Sequence, residues 1–129
     1  MTPQEQVLEA ARHLVEAFGS HDVPAYFESF ADDATFVFPN CPAPLESRAD
    51  YEAIWKTWEQ DGFRVERCVS SDQRIHLVAP DVAVFTHSVS THLNGEETPQ
   101  RERETIVFRR EDSGRWLGVH EHLSAAFIA

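Results

Sequence analysis

Cysteine is scarce in this chain. Cys41 and Cys68 are the only two, and they form neither a disulfide framework nor a CxxC motif. Two free thiols suit a reducing cytosol. Long apolar runs are missing as well, and no segment approaches the length of a membrane span. The opening "MTPQEQVLEAARHLVEAF" has acidic residues where a signal peptide needs basic ones, and no continuous apolar stretch. These absences predict a cytoplasmic protein. Positive charge is short too: the formal net charge of −11 repels nucleic-acid phosphates and anionic lipid, which argues against nucleic-acid or membrane partners. No Gly-rich phosphate loop calls for an organic cofactor. There are no internal repeats, no low-complexity tract and no linker. A chain of 129 residues therefore reads as one domain over 1–129. It is large enough to bury roughly two-thirds of its unfolded surface without staples.

The pattern that is present divides at Gly62. Thr2-Pro3-x-Glu5 has the form of a capping box with Pro at the first helical position. Val7, Leu8, Ala11, Leu14, Val15 and Phe18 follow at helical spacing, and Gly19 closes that first helix. Asp22 caps a short second helix carrying Tyr26, Phe27 and Phe30. "ATFVF", residues 34–38, reads as a strand stopped by Pro39. "PNCPAPLE" is too rich in Pro for regular structure. Ser47-x-x-Asp50 caps a third helix with Tyr51, Ile54, Trp55 and Trp58 on one face. Beyond Gly62 the period falls to two, and four strands are expected at about 64–78, 82–93, 98–110 and 115–127. Asn94-Gly95 is a hairpin signal between the second and third of these. Helices followed by an antiparallel meander imply an α+β domain, with three helices from the N-terminal half covering one face of a bent sheet.

"YFESFADDATFVFP", the Trp-bearing third helix, the meander and "ETIVFRREDSGRWLGVHEHLS" together resemble the nuclear transport factor 2-like superfamily. That group includes ketosteroid isomerases, SnoaL-like polyketide cyclases, scytalone dehydratase and the association domain of calcium/calmodulin-dependent protein kinase II. "FADDAT" is similar to ketosteroid isomerases, and W-x-x-V-H-x-H-x-S, here Trp116 to Ser124, is similar to the kinase association domain. The resemblance spans nearly the whole chain. It implies a cone-shaped pocket in a cystatin-like roll, and a homodimer formed through the outer face of the sheet. It does not imply one activity, because this fold hosts many.

The most informative stretch is "RWLGVHEHLS", residues 115–124, a core strand with three ionisable groups in succession. Strict alternation puts Leu117, Val119, Glu121 and Leu123 on one face, and Trp116, Gly118, His120, His122 and Ser124 on the other. Glu121 then points into the pocket while His120 and His122 face a subunit contact. The H-x-H spacing also suits two metal ligands, with His87 as a third, and this is the weaker alternative. On the neighbouring strand Glu104, Ile106 and Phe108 should alternate inward, with no Arg on that face to pair with Glu121. A carboxyl buried without a cation has its pKa raised, which suits acid–base work near neutrality. On "VAVFTHSVSTHL" the odd face of Ala83, Phe85, Val89 and Leu93 carries His87 inward. A β-bulge would instead present Thr86, Ser88 and Ser90.

The same resemblance removes one chemistry. The ketosteroid isomerase base matches Phe38, its Tyr matches Leu14, and its second Asp matches Ile106, all apolar here. The arginines of the kinase association pocket match Leu123 and Ile106, also apolar. An aromatic cavity is left, with Tyr26, Phe30, Phe38, Trp55, Trp58, Ile106, Phe108 and Leu123 as expected walls. Glu121 is the expected base, with His87 or Tyr26 as its hydrogen-bonding partner. The sequence thus predicts a SnoaL-like pocket for a small apolar carbonyl compound, with isomerase-, cyclase- or dehydratase-like proton transfer. The alternative is a non-catalytic ligand-binding or oligomerisation module.

Overall fold

A computed structural model describes residues 1–126. Its elements, in order, are α1 (Pro3–Gly19), α2 (Val23–Glu28), β1 (Phe30–Val37), α3 (Arg48–Gln60), β2 (Val65–Ala79), β3 (Val82–Leu93), β4 (Gln100–Arg110) and β5 (Trp116–Ala125). The fold is α+β, a curved five-stranded sheet in the order β1-β5-β4-β3-β2 with the helices packed on its concave side. Strands β2 to β5 form the expected antiparallel meander. β1 joins at the far edge, parallel to β5. No helix among the described residues is long and apolar enough to cross a membrane.

Each helix starts where its side chains satisfy the first free backbone donors. Thr2 Oγ1 accepts from the Glu5 N–H at 3.1 Å, and Glu5 Oε1 accepts from the Thr2 N–H at 3.0 Å, closing the capping box. Asp22 and Ser47 cap α2 and α3 through the Ala25 and Asp50 N–H groups. α1 buries Val7, Ala11, Leu14 and Ala17 along one stripe. α2 and α3 bury Tyr26, Phe27, Tyr51 and Trp55. Gly62, at φ +97°, turns the chain out of α3 in a conformation other residues resist. Phe30 is the first residue of β1 rather than part of the second helix, because α2 stops at Glu28 and Ser29 caps it. β1 also begins four residues earlier than "ATFVF" implies. Its register against β5 slips between Phe30 and Thr35, and the intervening Asp32 and Asp33 turn outward to pair with Arg48 and Arg109. The last strand, expected to reach residue 127, is described to Ala125; residue 127 itself lies outside the described residues.

Strict alternation fails once in β5. Phe108 pairs with Gly118 but Val107 pairs with His120, so Val119 is an extra residue and the strand bulges there. Trp116 and Gly118 consequently face inward with Glu121, not outward with the histidines. The Trp116 indole N–H donates to Gln6 Oε1 on α1 at 3.0 Å. A Cβ on Gly118 would lie 2.8 Å from a Phe30 ring carbon, so only glycine fits beneath that ring. Leu117 and Val119, expected inside, are only half-buried.

Candidate functional site

The concave side holds a cavity of about 150 Å³. Phe18, Phe38, Tyr51, Trp55, Trp58 and Phe63 contribute aromatic walls, and Glu102 and Glu104 from β4 and Glu121 from β5 add acidic groups. No Lys, Arg or His lines it among the described residues. A cavity of this size takes about one aromatic ring.

The polar groups form a row across the inner face of four strands. His87 sits opposite Glu104 in the β3–β4 ladder. Glu121 is opposite Ile106, which makes it the diagonal neighbour of Glu104. His87 Nε2 lies 2.6 Å from Glu104 Oε1, and His87 Nδ1 lies 2.6 Å from Ser70 Oγ on β2. The Gln73 amide donates to Ser70 Oγ at 2.8 Å. A neutral imidazole has one N–H. With that N–H at Nε2, facing Glu104, Nδ1 would accept and the Ser70 hydroxyl would donate. At the other end of the row the Tyr26 hydroxyl lies 2.8 Å from that of Tyr51, and makes a long 3.5 Å contact to Glu121 Oε2.

Burial decides the electrostatics. Glu121 is 1% exposed. Its carboxyl is pushed well above the ordinary range, first by desolvation, then by the charge and hydrogen bonding of Glu104; Tyr26 opposes this weakly. The pair cannot both ionise cheaply, so one proton is retained between them. Desolvation, followed by Glu121's charge, also keeps the Tyr26 and Tyr51 phenols protonated. Burial, then Glu104, raises the half-buried Glu102. The Cys68 thiol, in the same wall, is pushed up to about 12, chiefly by burial.

Tyr26, Phe38, Trp55, Trp58, Leu123 and Glu121 thus line the cavity as the sequence expects. Phe30, Ile106 and Phe108 do not. They are buried against other side chains: Phe30 on Phe36 and Tyr26, Phe108 against Phe85, and Ile106 beside Gly118. His87 faces inward, and the bulge that would have turned it out is absent from β3, which alternates from Ala83 to Thr91. Yet it neither lines the cavity nor touches Glu121, because Glu104 lies between them. His120 and His122 leave the concave side. His120 Nδ1 meets Thr35 Oγ1 at 2.8 Å, and His122 is exposed. The described residues contain no group of three or more His, Cys, Asp or Glu able to hold a metal ion.

Glu104, Glu102, Tyr51 and Ser70 were given no functional role from sequence, although Glu104 was expected to face inward. For Glu104 the signal was available: a charged residue in period with Ile106 and Phe108 on an otherwise apolar face. Tyr51 was hidden by its helical spacing with Trp55 and Trp58.

A family profile for the SnoaL-like domain matches residues 7–128. The chain belongs to the SnoaL-like domain family. Solved structures agree with this SnoaL-like assignment at the level of fold. An NTF2-like protein of unknown function from Pseudomonas putida is 22% identical, with a TM-score of 0.81 over 97% of this chain and 87% of that one. A ketosteroid isomerase-like protein from Erwinia carotovora atroseptica is 17% identical, with a TM-score of 0.83 over 97% of both chains. ActVI-ORFA from Streptomyces coelicolor is also 17% identical, with a TM-score of 0.75 over 96% of this chain and 97% of that one. Likeness at these identities speaks for the SnoaL-like fold and not for a shared reaction.

Proposed function

We propose that the cavity binds a small, neutral, largely apolar carbonyl compound, and that Glu121 and Glu104 move protons on it as an acid–base pair. The supporting observation is the buried Glu121 carboxyl beside Glu104 inside an aromatic cavity. Two carboxyl groups with one proton between them supply an acid and a base together. Glu121, the protonated member at rest, donates to the carbonyl oxygen. Glu104 takes the α-proton, leaving an enol, and reversal returns a proton to the α-carbon, or to the γ-carbon where the carbonyl compound is β,γ-unsaturated. The base role expected of Glu121 thus passes to its neighbour in the first step. Such transfers underlie isomerisation, cyclisation and dehydration next to a carbonyl.

Three acidic side chains and no cationic one disfavour an anionic ligand. Trp55, 1% exposed and in the wall, has an indole N–H with no partner among the described residues, which favours a ligand with an acceptor oxygen. His87 acts through Glu104. A second copy of the chain is the proposed partner, docked through the outer sheet face around His120 and His122. The two free thiols favour the cytoplasm as the place of work, and the net charge of −11 disfavours nucleic-acid and membrane partners.

The test uses phenylacetone, a one-ring enolisable ketone, in D2O. Proton NMR follows exchange of its α-protons. Exchange above the buffer rate with wild type, and at the buffer rate with Glu121→Gln, is expected. Binding seen in ligand chemical shifts with no accelerated exchange would leave a non-catalytic binding module.

A further inference from the structure

The row of side chains behind the cavity points to a task for residues that no ligand touches. We infer that His87 is a positioning residue: held as its neutral Nε2–H tautomer by Ser70, it makes Glu104 the carboxylate of the acidic pair and so leaves the proton on Glu121.

Three observations converge. The contacts His87 Nε2 to Glu104 Oε1 and His87 Nδ1 to Ser70 Oγ are both 2.6 Å, shorter than is usual for such bonds. The imidazole is fully enclosed, so both ring nitrogens must find their partners within the protein. β2 also bulges next to Ser70: its register against β3 gains one residue between Ser71 and Arg74, and Asp72 takes φ +51°. That extra residue brings the exposed Gln73 amide back onto Ser70 Oγ. Gln73 thereby donates to one Ser70 lone pair, and the hydroxyl hydrogen is free to be given to Nδ1. Donation to a neutral ring's lone pair favours the neutral form.

The groups around the pair come from every neighbouring element: Ser70 and Cys68 on β2, His87 and Thr91 on β3, Glu102 on β4, Tyr26 on α2 and Tyr51 on α3. Of these, the His87 N–H donates directly to Glu104, and Tyr26 leans towards Glu121. The strand row is therefore asymmetric, with the stronger donor on the Glu104 side. It also ends at the half-exposed Ser70, which gives the buried pair a hydrogen-bonded link to the β2 edge. The catalytic consequence rests on the acid–base function proposed above; the proton positions do not.

NMR tests the proton positions directly, without a substrate. In protein labelled with 15N-histidine, His87 at pH 7 is expected as a neutral ring protonated at Nε2. In 13C-glutamate-labelled protein, Glu121 is expected as the protonated carboxyl and Glu104 as the carboxylate. His87→Leu removes the donor and should transfer the proton towards Glu104, lowering the Glu121 midpoint by about one pH unit or more. His87→Gln, which keeps an amide N–H, should restore the wild-type titration. A doubly protonated or Nδ1–H ring in wild type would overturn the inference. So would Leu and Gln variants that lose thermal stability alike and leave the Glu121 midpoint unmoved, the result of a purely structural role.

Discussion

Replacing Glu121 by Gln should make stability less sensitive to pH, in a direction opposite to the usual carboxylate. Folded Glu121 holds its proton well above the ordinary value of 4.5, while the unfolded chain releases it near that value. Its folded pKa is raised, so its contribution is fully present below pH 4.5 and is lost as pH climbs towards the folded pKa. Within that window unfolding releases one proton, and stability falls by about 1.4 kcal/mol per pH unit. At about 2.1 cal/mol/K per residue, 129 residues have an unfolding entropy of about 0.27 kcal/mol/K, so each pH unit costs about 5 °C in Tm. Gln has nearly the same shape, stays neutral, and its amide donates to Glu104 as the protonated acid would. Scanning calorimetry of both proteins at half-unit steps from pH 5 to pH 8 measures the difference. At pH 5, where the unfolded carboxyl is already mostly ionised, the variant should lead by about 3 °C, and the lead should widen as pH rises. Other titrating groups are common to both and cancel to first order. Parallel curves would show that Glu121 ionises like a surface carboxyl, and the proposed resting acid would be lost.

Other perturbations follow from single contacts. Gly118→Ala forces a methyl to within 2.8 Å of the Phe30 ring, and calorimetry should show a loss of about 1–3 kcal/mol. Thr2→Ala opens the capping box of α1 at an exposed site and should cost about 1 kcal/mol by the same measurement. With its thiol pushed up to about 12, Cys68 should carry roughly a thousandfold less thiolate than a free cysteine at pH 8. Peptide mapping after iodoacetamide should therefore find Cys41 alkylated long before it. His120→Ala with His122→Ala should reduce the dimer peak in native mass spectrometry, provided the outer face is the subunit contact; an unchanged peak places the contact elsewhere.

The helices were legible because their signals are local. Thr2, Asp22 and Ser47 cap them as their positions imply, and Gly62 ends α3 with a positive φ. The inward turn of Glu121 was also legible, though by a route that strict alternation misstates. Counting by twos puts Leu117 and Val119 inside, whereas the extra residue Val119 reverses the face between Gly118 and Glu121. A bulge has no composition of its own, so pattern alone does not locate it. The parallel β1–β5 ladder was unreadable for a different reason: Thr35 and His120 are 85 positions apart, and nothing local marks them as neighbours. The facing of His87 was left open by the sequence between plain alternation and a bulge, and its partner depends on cross-strand register. That register makes it the companion of Glu104 and only indirectly of Glu121.

The strand order has a consequence for how the protein is born. β5, the last of the five described strands to leave the ribosome, is inserted between β4 and β1 rather than added at a border. Until it emerges, β1 has no strand to bond with, the facing borders of β4 and β1 stay open, and Glu121 is missing from the pair. Closure of the wall and arrival of Glu121 are then one late event. A polypeptide halted near residue 110 should need chaperone protection that a chain carrying β5 does not.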